Sequence, residues 1–385
     1  MNVSRPLARY PWARWAVPVT VAAVAVGGTA LFTQVTADAA VVLPARGAAQ
    51  LLVDVQSARQ ITGSGTVVQK ADLGLPQLPS IGGAGSSSLS SLIAGSHTLR
   101  VWYGGPDRAR VALMGTLGES DVIRNGRDLW TWSSDSNSAT HRLLPTETAA
   151  EKAAGTPART PADALTPQQL ADQALAAITP TTSVSTDGTA RVAGRSAYEL
   201  VLTPKDTASL IGPVRIAVDA QRHVPLRVQV FARNATTAAV EVGFTQISFS
   251  PPSAAQFHFS PPPGVTLTEQ TSQPDPAGAR SAETAAQPSV TGQGWTSVIQ
   301  AQLTADASSM LRGDRSGARP DGSTAQLQRV MRVLPKVSGS WGSGRLLHSS
   351  LFTVLLTDDG RVLAGAVPAA RLYQLAGQPL PAAGS

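Results

Sequence analysis

The sequence predicts an α+β protein built on antiparallel sheet, and three observations carry that prediction. Two regions, 99–133 and 183–249, break into short runs of β-branched and aromatic residues that alternate with polar ones and are cut by turn residues. Between them Thr166-Pro167-Gln168-Gln169 reads as a capping box with proline at the first helical position, which predicts a helix to about Ile178, ended by Pro180. The 34 Gly and 28 Pro among 385 residues predict many loops and a disordered linker.

In chain order, Arg5, Arg9 and Arg14 precede an apolar run from Trp15 to Val35. A helix over Val17–Val35 would be ~28 Å long, close to the hydrocarbon thickness of a bilayer, with its arginine-flanked end cytoplasmic and the rest of the chain exported. Ala37-Asp38-Ala39 resembles a cleavage site, so a cleaved signal peptide and a retained anchor both fit residues 1–40. Residues 46–59 place Leu51, Leu52 and Val55 on one helical face. A strand is expected over 61–69. The Gly/Ser-rich stretch 71–96 cannot be a central strand because Pro76 and Pro79 would break the ladder, and it reads as an insertion whose Leu73, Leu75, Leu78 and Ile81 cover an apolar site or pack locally.

Strands are then expected at 99–103, 109–114, 121–124 and 128–133, with an edge near 142–145. Asn125-Gly126 signals a type I′ hairpin. Leu99, Val101 and Tyr103 share one face at strand period, as do Trp130 and Trp132. The second region predicts strands 183–186 and 189–192 joined by a turn at Asp187-Gly188, then 197–202, 214–219, 226–231 and 239–249, with a short edge piece at 257–259. Leu226, Val228 and Val230 oppose Arg227, Gln229 and Phe231, the pattern of a sheet wet on one side. Residues 269–293 lack periodicity and read as a disordered linker. Residues 294–375 form a small unit, with helices expected at 298–311 and 325–334, a strand at 346–356, and a turn at Asp358-Asp359-Gly360 into a strand at 361–367. Too few apolar residues are present there for a large independent core, so this unit is expected to dock on the first.

The absence of cysteine excludes disulfides, thiolate zinc sites and thiol nucleophiles. The net charge of +6 is carried mainly by arginine, without a dense basic run beyond the N-terminus, which argues against nucleic-acid binding. The five histidines show no zinc-protease spacing, no serine sits in a G-x-S-x-G elbow, and no phosphate-binding glycine loop follows a strand. Asp135-Ser136-Asn137 lacks the remaining positions of a calcium loop. No enzymatic activity, metal or cofactor is expected.

The ordered combination of Asn125-Gly126…Trp130, Asp219…Pro225-Leu226-Arg227-Val228 and Phe257-His258-Phe259-Ser260-Pro261-Pro262-Pro263-Gly264 resembles the LolA/LolB/RseB (MucB) superfamily, over residues 46–268. It is similar to membrane-anchored LolA-like proteins of actinobacteria, whose C-terminal segment is also like 342–367. The resemblance implies an open, strongly curved antiparallel β half-barrel covered by helices, with an apolar cavity. It further implies a non-catalytic extracytoplasmic protein at the plasma membrane, holding acyl chains of a lipid or lipoprotein. The alternatives are an RseB-like regulator that binds an anti-sigma factor or other membrane partner, and an anchored cell-envelope protein with no ligand. On this reading Leu99, Val101, Tyr103, Val111, Leu113, Trp130, Trp132, Leu200, Val228, Val230, Val242 and Phe244 line the cavity. The glycine-rich insertion departs from the lipoprotein carriers, and a retained anchor would forbid a soluble shuttle.

Overall fold

The computed structural model describes residues 43–58, 62–75, 87–144, 180–270, 288–303 and 331–379. The N-terminal apolar run, the helix expected after Thr166, Leu78 and Ile81 of the insertion, and most of the 269–293 linker lie outside them. Among the described residues no helix is long and apolar enough to cross a membrane.

Helix α1 (Ala48–Ser57) leads into strand β1 (Gly63–Ala71). A meander follows: β2 (Gly95–Tyr103), β3 (Arg108–Met114), β4 (Glu119–Asn125), β5 (Asp128–Ser133) and β6 (Ser138–Leu143). A second comprises β7 (Thr182–Val192), β8 (Arg195–Pro204), β9 (Ile211–Asp219), β10 (Pro225–Ala232) and β11 (Ala238–Ser248), and β12 (Thr266–Gln270) closes the module. β1 pairs with β2 on one side and β11 on the other, fusing both meanders into one curved, open twelve-stranded sheet in the order β12-β6-β5-β4-β3-β2-β1-β11-β10-β9-β8-β7.

Local chemistry corrects several sequence expectations. Asn125 ends β4 opposite Asp128, so the two-residue turn is Gly126-Arg127, with Gly126 alone at positive φ (63°), the pattern of a type II′ turn. Asp187-Gly188 is a bulge within the continuous β7, with the Asp187 carboxylate accepting a bond from Arg215 (2.8 Å). The hairpin turn is Ala193-Gly194, both at positive φ (50° and 76°). Residues 254–257 form a 3₁₀ turn in place of the expected edge piece at 257–259.

A second, six-stranded sheet comprises β13 (Ser289–Thr291), β14 (Val298–Gln302), β15 (Lys336–Gly339), β16 (Gly342–His348), β17 (Thr353–Thr357) and β18 (Arg361–Gly365), with helix α2 (Ala369–Ala376) on one face. Val298, expected to start a helix, instead opens β14 and joins Leu355, Leu363, Leu372 and Leu375 in the core. The strand expected at 346–356 is divided because Ser349 Oγ accepts the amides of Leu351 and Phe352, turning the chain. Buried Arg361 donates to the carbonyls of Leu375, Ala376 and Gln378 and to Gln300, satisfying orphan acceptors at the C-terminal end of α2. Asp358 and Asp359 are turn residues that accept bonds from Ser343 and Thr357.

The two sheets meet end to end through loops. Leu210 N donates to Ala366 O and Ser350 N to Leu73 O (2.8 Å each), while Trp295 Nε1 donates to Thr182 (2.8 Å) and Thr296 to Asp206 (3.1 Å).

At the opposite end of the large sheet, fully buried Asp219 organises the β9–β10 turn. Its carboxylate accepts the amides of Gln221 (3.0 Å) and Arg222 (2.6 Å) and both arms of Arg195. Burial works to raise this carboxyl, but the Arg195 guanidinium and the two amides outweigh it and hold its pKa below the usual range. Because the folded value lies below the unfolded one, the stabilisation is present above about pH 4 and disappears as pH falls through the folded value. Asp219→Asn is expected to cost about 3 kcal/mol in urea unfolding at neutral pH, because it leaves Arg195 uncompensated. The gap from the parent should shrink as the pH is lowered below about 4. A gap independent of pH would contradict this account.

Candidate functional site

Register fixes which side chains share a face. On the inner face, Leu99 lies opposite Val67 and Leu113, Val101 opposite Val111, and Tyr103 opposite Ala109. Across β1, Val67 meets Phe244 and Gln69 meets Val242. Val242 opposes Val228, Val228 opposes Ile216, and Ile216 opposes Leu200. Val230 continues the row between Val240 and Val214. Ten of the twelve residues singled out in the sequence therefore lie on one continuous apolar face: Leu99, Val101, Tyr103, Val111, Leu113, Leu200, Val228, Val230, Val242 and Phe244.

Two covers close the ends of this face. Over β7–β9, α1 buries Leu51 and Leu52 against Tyr198 and Leu200, each contributing about 1.5–3 kcal/mol. Tyr198 donates to Pro44 O (3.0 Å), and Asp54 of α1 pairs with Arg46. Over β1–β3, a 3₁₀ turn (Leu89–Ile93) seats Leu89 and Leu92 on Val67, Leu99 and Leu113. The turn is tied down by two buried side chains of the sheet: Gln69 donates to Leu92 O (3.2 Å) and His97 Nε2 to Ala94 O (2.8 Å). Leu99, Leu113 and Leu200 are thus fully buried by the protein itself. Between the covers a strip stays only partly buried: Val101 and Val111, then Phe244, Val242, Val240, Val228 and Val230. The other face of β8–β11 carries paired charges beside Ala197 and Val201, with Glu199 paired to Arg215 and Arg227, and Gln229 bonded to Glu241.

Trp130 and Trp132 do not line this face. Trp130 lies opposite Ile123, and Ile123 opposite Arg110, while Trp132 lies opposite Asp121, and Asp121 opposite Ala112. That row belongs to the outer face, with Trp102, which Arg100 and Arg110 flank at 5.3 and 5.2 Å. The chain leaving β11 crosses this outer face to pair β12 with β6 at the far edge. Seven strand spacings amount to ~34 Å, well within the reach of the proline-rich residues 249–265 at ~3.1 Å each. Phe257, fully buried, packs where a Cβ on Gly104 would come within 2.9 Å of its ring. Phe259 packs on Trp130 and Trp132, with ring centroids 5.2 and 6.2 Å away. The tryptophans and the F-x-F segment form a clasp that holds a strap on the back of the sheet.

Sequence reasoning left out Val67, Val214, Ile216, Val240, Leu89 and Leu92. Val214 and Ile216 flank Arg215, and Val240 stands two residues before Val242, spacings that carried a signal; Val67 is followed by Val68, and the two leucines lie in a stretch whose low complexity hid them.

Residues 97–262 match the family model of the MucB/RseB N-terminal domain, which spans both meanders and the strap. The match bears out, over these residues, the resemblance to the LolA/LolB/RseB superfamily. Among solved structures, a complex of Pseudomonas aeruginosa MucA and MucB is 15% identical with a TM-score of 0.42, covering 87% of this chain and 99% of that chain. A LolA superfamily protein from Nitrosomonas europaea is 13% identical with a TM-score of 0.20, covering 56% of this chain and 99% of that chain. No curated protein matches the chain by sequence.

The face assignment makes a direct prediction. Phe259→Ala and Trp130→Ala should each cost about 3 kcal/mol in unfolding free energy, with a coupling of about 1 kcal/mol in the double-mutant cycle. Neither should alter binding of an apolar fluorescent dye to the folded protein. Loss of dye binding in a folded Trp130→Ala variant would return that residue to the binding surface.

Proposed function

We propose that the protein is a non-catalytic binding protein on the extracytoplasmic side of the plasma membrane. Its inner-face strip between the two covers takes acyl chains of a lipid or lipoprotein. The observation that carries this reading is the one-sidedness of β8–β11, whose inner face presents Val228, Val230, Val240 and Val242 while its outer face presents paired charges. Each methylene laid on such a strip contributes ~0.8 kcal/mol when fully buried, so an acyl chain is held without polar chemistry. The arginine-flanked apolar run at the N-terminus supports the location.

A second reading has an observation of its own. The family match is to MucB/RseB, and a second sheet is bonded to the end of the first through Leu210–Ala366 and Leu73–Ser350. In the solved complex MucB is bound to MucA. On this reading the occupant is an exported segment of a single-pass membrane partner, such as an anti-sigma factor.

Native mass spectrometry of the protein purified from membranes separates them: co-purifying lipid supports the first, a stoichiometric polypeptide the second, and an empty protein contradicts both. Val230→Asp, on the strip, should weaken binding of a fluorescent fatty acid at least about tenfold, since a charge would be desolvated against the chain. Gln229→Asp, on the outer face, should leave binding unchanged. Equal effects of the two would refute the assigned surface.

A further inference from the structure

Strand β12 is the most lightly held edge of the large sheet. It pairs in parallel with β6, whereas the other pairings of that sheet run antiparallel, and parallel pairing is slightly weaker per residue. All five of its residues are exposed, including Leu267 at 47%. Its start is fixed by Asn137, whose carbonyl accepts the Thr266 amide (3.0 Å) and whose side chain donates to Gly264 O (2.9 Å). Beyond the backbone ladder to β6, the side-chain tie of its far half among the described residues is that of Glu269 to His141 of β6.

The His141 ring stacks on Trp130, with centroids 4.2 Å apart and planes 16° from parallel. Its Nε2 is 2.8 Å from Asp128 Oδ1 on β5, and its Nδ1 is 2.8 Å from Glu269 Oε2 on β12. A neutral imidazole carries one N–H and can donate to only one of these carboxylates, while the other nitrogen would turn its lone pair toward an anionic oxygen. Only the doubly protonated ring satisfies both. Among the described residues, the other groups packed around it are uncharged: Phe259 on the strap and Ile123 beside Trp130 on β4 are apolar. The strap's one titratable side chain, His258, is exposed, and Arg142 alternates to the opposite face of β6.

We propose that His141 is a proton-operated latch: as an imidazolium it ties β12 to β5 and β6, and on losing a proton it releases the far half of β12 from the sheet edge. Burial of the ring opposes its charge, but Asp128 and Glu269 outweigh that effect and raise the pKa above the usual histidine value. The latch is fully engaged below the unfolded histidine value and opens as pH rises through the raised one. Opening bares the hydrogen-bonding edge of β6.

Hydrogen–deuterium exchange of the full chain from about pH 5 to pH 9, corrected for intrinsic exchange rates, tests the latch. Protection of the peptide covering 266–270 should fall about tenfold across the histidine titration, while peptides from β2 and β3 stay constant. Glu269→Gln alters an exposed side chain and should abolish the pH step, as should His141→Gln; if the latter fails to fold, Glu269→Gln carries the test. Protection independent of pH in the parent, or an unchanged step in Glu269→Gln, would overturn the proposal.

Discussion

The structure depends on the double pairing of β1. Its nine residues pair with β2 on one side and eight of them, across almost 180 positions of sequence, with β11 on the other. Without that strand there would be two separate meanders, each with an exposed edge and half an apolar face. With it there is one sheet and one continuous inner surface from Leu113 to Leu200. The Gly-Ser-Gly start of β1 is part of this constraint, because a Cβ on Gly65 would lie 2.5 Å from the Gln246 carbonyl and 2.8 Å from the Phe244 ring. The bulge between Thr66 and Val67 sits at the same place, bending the sheet where the two halves join.

From that join follow both the open strip and what closes it. Curvature brings α1 and the 3₁₀ turn onto the same inner face at its two ends, so the most deeply buried leucines are packed by the protein's own segments. The valines between them stay only partly buried. The outer face carries different work. There the chain needs a route from β11 back to β6, and aromatic side chains from both strap and sheet supply the apolar area that fixes that route. The second sheet meets the end of the first through backbone bonds and the side chains of Trp295 and Thr296.

Much of this was legible in the sequence, and the misses have identifiable causes. Alternation gave most strands of both meanders to within a few residues, because the inner rows of Leu99–Val101–Tyr103 and Val228–Val230 are apolar; β6 was placed only as an edge near 142–145, and β7 was read as two strands. The two tryptophans were assigned to the wrong face because strand period relates residues within a strand and says nothing across it. Their side follows from the loops in between: a four-residue turn after Met114 and a two-residue turn after Asn125 align Trp132 with Asp121 and Ala112, leaving Leu113 on the other face. Asp187-Gly188 and Ala193-Gly194 offer similar turn chemistry, and only pairing with β8 decides which is the bulge and which the hairpin. Val298 lies in a short apolar run, where helix and strand patterns are not separable by period alone. The parallel β12 had no signal, since its five residues are all exposed and its place is set by His141 and Asn137 at a distance of more than a hundred positions.

The inner strip between the covers is the proposed binding surface, and the aromatic outer face is structural. Because the chain has no cysteine, single thiols can be placed at will: Val230→Cys and Val242→Cys on the strip, Gln229→Cys and Thr268→Cys away from it. Rates of thiol labelling with and without the co-purifying occupant measure the surface directly. The strip thiols are expected to be protected by the occupant and the other two to label at unchanged rates. Protection confined to the outer positions, or equal at all four, would contradict that assignment.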